Sequence, residues 1–139
     1  MGHVYANITL SNSFEVMAAK KGLIAEGDVK QLTVKALVDS GAMLLTINEE
    51  IVRQLGLEVQ KQLEVMLADS SYRKCDYVGP VNIHFENRFA CGHALVQPGA
   101  DEILLGVIPL EEMDVMIDPV SQQLIVPPDR PLYAQHRVK

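Results

Sequence analysis

The chain has 139 residues, of which 48% are apolar and 22% charged, and its net charge is −6. A chain of this length folds as one domain and buries a core without disulfide or metal staples. The acidic balance argues against a nucleic-acid partner, and no apolar run reaches the roughly 18 to 20 residues that cross a membrane.

The residues of the N-terminal region and the cysteines give no sign of a signal peptide or a metal site. Cys75 and Cys91 lack the spacing of a zinc site or a disulfide framework. The first residues lack a basic region followed by an apolar stretch. We therefore expect free thiols, no bound metal and a cytoplasmic location.

Three strands are predicted before the first distinctive motif. Residues 4–10 and 14–19 read as two strands joined by the turn Ser11-Asn12-Ser13, which predicts a hairpin within residues 1–28. Residues 29–38 alternate and end in three apolar residues, as in a strand that enters a core. That strand stops at Asp39-Ser40-Gly41.

A helix and two hairpins follow. Thr46-Ile47-Asn48-Glu49 has the spacing of a capping box, and Gly56 is a natural helix stop. Residues 63–67 alternate up to the hairpin tip Ala68-Asp69-Ser70-Ser71, from which the chain returns. A second hairpin turns at Glu86-Asn87-Arg88.

The last third begins with the apolar strand Ile103-Leu104-Leu105 and the turn residue Gly106. A short helix opened by Pro109 follows, and then two strands near residues 115–117 and 124–126. Beyond them the chain is polar, and we expect a tail that is mobile unless a partner pins it.

Asp39 follows a buried strand directly and begins a turn of small residues. In a purely structural role, its carboxylate accepts hydrogen bonds from the turn's own amides, as happens in many loops. In a catalytic role, the carboxylate is held at the end of a rigid strand, Ser40 orients its neighbours, and Gly41 lets another chain approach closely. The tripeptide by itself leaves both roles open.

A series of motifs between residues 29 and 126 resembles the retropepsin-like aspartic proteases, in particular their small stand-alone bacterial members. The matching segments are Ala36-Leu37-Val38-Asp39-Ser40-Gly41-Ala42, Gln54-Leu55-Gly56-Leu57, Leu67-Ala68-Asp69-Ser70, Ile103-Leu104-Leu105-Gly106-Val107, Leu110-Glu111-Glu112-Met113 and Ile117-Asp118-Pro119. The ordered series is far more specific than Asp-Ser-Gly alone.

The resemblance implies a mainly β fold, a closed acid-protease-type barrel with one lobe per chain and one or two short helices. The domain would cover residues 1–126, with residues 1–28 as an N-terminal hairpin extension that covers a sheet edge. Residues 127–139 would form the polar C-terminal tail.

The resemblance also implies an aspartic endopeptidase that needs no cofactor. Hydrolysis by this route needs two carboxylates around one water, one acting as base and the other as acid. The chain offers one suitable triplet, since Asp69-Ser70-Ser71 lacks the glycine. We therefore expect a symmetric homodimer, with Asp39 and its twin at the twofold axis, acting on a peptide or protein substrate.

Other roles follow from the same resemblance. Ser40 would hydrogen-bond across the axis, with Gly41 and Ala42 completing the loop. Leu104, Leu105 and Gly106 would pack behind that loop, and for the leucines a plain core role gives the same placement. The hairpin that includes Asp69, Ser70, Ser71 and Tyr72 would be a flap that closes over an extended peptide.

The flap departs from the family pattern, because its tip, Ser70-Ser71-Tyr72-Arg73, has no glycine. That departure supports a second hypothesis, a catalytically silent dimer that binds peptides or assists assembly. A third is an ordinary β-rich monomer. Met43, Leu44 and Ile108 are candidates to line substrate subsites and are equally good core residues.

Overall fold

The computed structural model describes residues 2–138, and over that range the chain forms nine β-strands and three short α-helices. The strands are β1 (Tyr5–Asn12), β2 (Gln31–Val38), β3 (Leu45–Ile47), β4 (Glu58–Met66), β5 (Tyr72–Phe85), β6 (Arg88–Val96), β7 (Ile103–Leu105), β8 (Met116–Asp118) and β9 (Gln123–Ile125). The helices are α1 (Ser13–Lys20), α2 (Glu49–Leu55) and α3 (Val107–Met113). Met1 and Lys139, the outer ends of the predicted domain and tail, lie outside the described residues.

Six of the strands within residues 2–138 close into a barrel in the order β1-β2-β7-β3-β6-β5, and pairing of β1 with β5 completes the ring. β4 pairs with β5 outside the ring and forms an arm with it, while β8 and β9 form a separate two-stranded sheet. The barrel encloses a core of aliphatic side chains, which includes Ile8, Leu10, Leu45, Ile47, Val78, Val81 and Leu105. The predicted mainly β, closed barrel is therefore confirmed.

The N-terminal segment differs from the predicted hairpin. After β1 the chain enters α1 rather than a second strand, and Asn12 caps this helix by accepting a hydrogen bond from the Glu15 amide at 3.1 Å. β1 pairs with both β2 and β5, so it is a wall of the barrel and not an extension over an edge. The strand predicted over residues 14–19 was wrong because no residue of α1 is buried, so its apolar residues do not reflect a strand packed on a core.

The predicted middle elements are present with small shifts. α2 begins after Asn48, whose side chain accepts from the Ile51 amide at 3.0 Å, while Thr46 lies one element earlier in β3. α2 ends at Gly56, which has a left-handed backbone (φ 64°). The two predicted hairpins share β5, which runs as one strand of 14 residues. The short helix predicted at Pro109 is present as α3, which begins two residues earlier, at Val107. Over residues 2–138, the unpredicted α1 brings the number of helices to three instead of one or two, and none is long and apolar enough to cross a bilayer.

The C-terminal segment lies against the barrel instead of extending freely. Arg88 is only 2% exposed, and its guanidinium donates to the carbonyl oxygen of Arg130 and, at 3.5 Å, to that of Met113. Asp114 accepts from Arg130 Nε at 2.7 Å and from the Gln135 amide at 3.0 Å. The expectation of a tail free of the domain is corrected, because these contacts within the same chain hold it.

Candidate active site

Asp39 stands at the end of β2, on a turn formed by residues 39–42 that we call the Asp39 turn. Its amide donates to the Leu105 carbonyl of the neighbouring strand at 3.0 Å. Its Oδ1 accepts from the Gly41 amide at 2.9 Å, and its carbonyl accepts from the Ala42 amide at 3.1 Å. Asp39 is half-buried as a residue, and its Oδ2 has no hydrogen-bond partner among residues 2–138. The turn thus fixes one carboxylate oxygen and leaves the other free to bind a water or a substrate.

The turn from β7 into α3 supports the Asp39 turn from behind. A Cβ atom added to Gly106 would lie 2.4 Å from the Leu44 carbonyl oxygen and 2.8 Å from that of Ala42. Glycine is needed here for this close backbone approach, since the φ of Gly106 is an ordinary −87°. At the start of α3, the amide of Val107 donates to the Ala42 carbonyl at 2.9 Å. Leu105 is fully buried beside Gly106, and Leu104 is half-buried in β7.

An apolar groove of about 490 Å³ lies between the Asp39 turn and the β4–β5 hairpin. Gly41, Ala42, Met43 and Leu44 line one side of it. The hairpin contributes Leu63, Val65, Leu67, Arg73 and Cys75, and residues 95–97 close one end. Two of the three predicted subsite candidates, Met43 and Leu44, line this groove. Ile108 does not, and lines a separate small cleft with Cys91 and Glu112.

Ser40 faces a different cleft from Gly41 and Ala42. It is exposed, and it borders a shallow cleft of about 230 Å³. The other residues that line this cleft are apolar, and they are Val38 of β2, Leu110 of α3, Val115 in the turn after α3, Met116 and Ile117 of β8, and Leu124 of β9. Met116 and Ile117 are 40% and 42% exposed. The apolar groove therefore borders the Asp39 turn at Gly41 and Ala42, whereas the apolar cleft borders it at Ser40.

The β4–β5 hairpin, which we call the flap, forms a tight tip without glycine. The Leu67 amide donates to the Ser71 carbonyl at 2.7 Å. Asp69 Oδ1 accepts from the Ser71 hydroxyl and amide, at 2.5 and 2.9 Å, and these bonds lower the pKa of Asp69. Ser70 adopts the left-handed backbone (φ 69°) that glycine usually supplies, and Tyr72 is exposed at the start of β5. The tip is thus built from an aspartate turn and one strained serine.

The sequence predicted the Asp39 turn and the β4–β5 hairpin but not the composition of the groove. The alternation of Leu63, Val65 and Leu67 was visible, yet only the barrel shows that these residues and Arg73 face the Asp39 turn. Cys75 and Cys91 are free thiols, the first buried and the second exposed. Within residues 2–138, no three His, Cys, Asp or Glu side chains are grouped as a metal site.

Comparison with known proteins identifies the family. No curated protein matches the chain significantly. A family model described as aspartyl protease matches residues 25–107, more than half of the chain. The matched range contains the Asp39 turn, the flap and Gly106, and it lies in a closed, mainly β barrel. The chain belongs to the aspartyl protease family, of the retropepsin-like type.

Proposed function

We propose that the protein is an aspartic endopeptidase that works as a homodimer, with Asp39 of each subunit beside one shared water. The observation that carries the proposal is the single Asp-Ser-Gly turn at the end of β2, fixed by Gly106 and bordered by a groove beneath the flap. One chain provides one such carboxylate, whereas the chemistry needs two.

The proposed reaction uses the two carboxylates in opposite protonation states. The ionised one takes a proton from the water as its oxygen attacks the peptide carbonyl, while the protonated one donates to the carbonyl oxygen. In the collapse of the tetrahedral diol, the first carboxyl group gives the water's proton to the amine nitrogen, the C–N bond breaks, and the second carboxylate takes back a proton from a diol hydroxyl. Two carboxylates this close share one proton, so we expect activity on the acidic side of neutrality.

The cleft beside Ser40 is the surface that we propose for the second subunit. It combines the Ser40 hydroxyl with the exposed apolar side chains of Met116 and Ile117. A second copy placed there would remove this apolar surface from water and bring a second Asp39 turn close to the first. The Ser40 hydroxyl would then hydrogen-bond across the axis.

The groove suits a peptide in an extended conformation. Its lining is mostly apolar, and within residues 2–138 β4 has a hydrogen-bonded neighbour, β5, on one side only. The other edge of β4 offers backbone groups that a peptide strand can pair with. Substrate binding would therefore combine backbone pairing with apolar side-chain contacts.

The test compares the wild type with Asp39→Asn on a peptide library at mildly acidic pH. Asparagine retains the oxygen that accepts from Gly41, so the turn should survive while base and acid catalysis are lost. We expect cleavage to fall by about a hundredfold or more. Asp101→Asn, which removes an exposed carboxylate outside the motif, should leave the rate unchanged.

Other outcomes of this test have definite meanings. Equal cleavage by wild type and Asp39→Asn would overturn the proposal. The absence of cleavage by both, together with peptide binding by a dimer, would favour the silent binding module, which the glycine-free flap tip motivates.

A further inference from the structure

On the inner face of the flap, the groove is lined by one charged side chain, Arg73, and by apolar ones, while Lys61 continues the same face beyond the groove, beside Tyr77. β4 and β5 are antiparallel, with Val65 opposite Arg73 and Leu63 opposite Cys75. Residues directly opposite each other point to the same side of a sheet, and residues two apart share a face. These four side chains therefore form one face, and all four line the groove. The other face of the hairpin carries the pair Glu64 and Lys74.

Arg73 has no acidic partner in the part of the chain that the structure describes. Among residues 2–138, no carboxylate oxygen lies within 4.0 Å of the Arg73 guanidinium nitrogens, the distance limit for a salt bridge. The guanidinium groups of Arg88 and Arg130, in contrast, each lie within that distance of the Asp114 carboxylate. Glu64, the acidic residue that also borders the groove, lies across the strand pair from Lys74 rather than from Arg73. Within residues 2–138, the groove thus has a guanidinium without an ion-pair partner beside apolar side chains, with Glu64 at its border.

A peptide that covers Arg73 displaces water from the Arg73 guanidinium, and the peptide's own groups must replace the hydrogen bonds that this water made. An apolar or basic side chain at that point would leave a partly desolvated cation without a partner, which is unfavourable. A carboxylate could accept two parallel N–H bonds from the planar guanidinium. The neighbouring Leu63 and Val65 favour apolar side chains next to that carboxylate.

We propose that Arg73 determines substrate specificity by pairing with an Asp or Glu side chain of an otherwise apolar, extended peptide. The inference rests on the proposed function, because it names the substrate class of the same groove. In a dimer each flap supplies one Arg73, so acidic side chains would be selected on both sides of the scissile bond.

The first experiment uses an apolar peptide series in which a single Glu, Gln or Lys is placed at each position in turn. For wild type we expect kcat/KM for the best Glu peptide to exceed that for its Gln counterpart by roughly five- to twentyfold, since the pair is partly solvent-exposed. Arg73→Gln should abolish this preference, and Arg73→Glu should shift it toward Lys. Lys74→Gln, on the outer face of the same strand, should leave it intact.

A second readout separates this inference from the proposed function. Affinities of the same fluorescently labelled peptides for the Asp39→Asn protein measure recognition without turnover. A Glu preference that Arg73→Gln removes and that weakens in about 0.5 M salt would support the inference even if wild type cleaved nothing. Equal affinities and equal rates for the Glu and Gln peptides would overturn it, whereas absence of cleavage alone would count only against the hydrolase.

Discussion

At the scale of single residues, the candidate site depends on side chains that are small or absent. Gly106 has no Cβ because the backbone of residues 42–44 occupies that space. Asp39 is held by the amide of Gly41, two residues later in the same turn. A carboxylate on such a short and doubly supported turn loses little conformational freedom when a partner or substrate binds.

Gly106→Ala tests this close approach. The added methyl group would meet backbone atoms, which cannot rotate away, so we expect a loss of roughly 2–4 kcal/mol in the free energy of unfolding. Urea denaturation followed by circular dichroism measures it. Gly92→Ala is the matched control, because a Cβ at Gly92 meets no atom within 4 Å. Equal stability of the two variants would show that Gly106 is not crowded.

At the scale of secondary structure, the C-terminal segment is fixed to the barrel by charge. Asp114 links the end of α3 to Arg130 and approaches the buried Arg88 at 3.8 Å. The hydrogen bond from Arg130, that from the Gln135 amide and the nearby positive charges lower the pKa of Asp114 from 3.8 to about 2. Folding therefore favours the ionised carboxylate.

This pKa shift predicts how stability depends on pH. The folded-state pKa of Asp114 is the lower one, so its contribution is complete above about pH 4 and is lost as the pH falls toward 2. Asp114→Asn should be destabilised at neutral pH and should lose less stability than wild type between those values. Urea midpoints at several pH values measure this, with Asp129→Asn, whose carboxylate is 76% exposed, as the control. Parallel profiles for wild type and Asp114→Asn would contradict the assignment.

The predictable parts of the fold are those with local signals. The β4–β5 and β5–β6 hairpins and α2 were visible because alternation, turn residues and a helix stop occur within a few positions of one another. α1 was missed because its cap, Asn12, was read as a turn residue. The role of Arg88 was missed because a lone arginine at a hairpin gives no indication that it is buried against a segment about 40 residues away.

At the scale of the whole molecule, the barrel depends on pairings between strands that are far apart in the sequence, and no local sequence pattern predicts them. Pairing of β1 with β5 closes the ring, and parallel pairing of β2 with β7 brings Asp39 next to Gly106. The family resemblance supplied the order of the motifs, but the composition of the groove and the position of Arg73 within it required the closed structure. The proposed dimer extends the same reasoning to a second copy of the chain.

Ile117→Glu tests the surface proposed for that second copy. A charge in the cleft beside Ser40 would be buried without a partner in the dimer, so the variant should sediment as a folded monomer with strongly reduced activity. Leu23→Glu is the control, because Leu23 is 74% exposed and lies outside the cleft. A dimeric and active Ile117→Glu protein would place the interface elsewhere.

The requirement for two Asp39 carboxylates is tested most directly by mixed dimers. Wild-type and Asp39→Asn subunits are refolded together in equal amounts, and activity is compared with wild type at the same total subunit concentration. If each site needs both carboxylates, only the wild-type dimers, about one quarter of the population, are active, and activity falls to about one quarter. Activity that falls only to about half, in proportion to the wild-type chains, would mean that each subunit acts alone and would contradict the shared site.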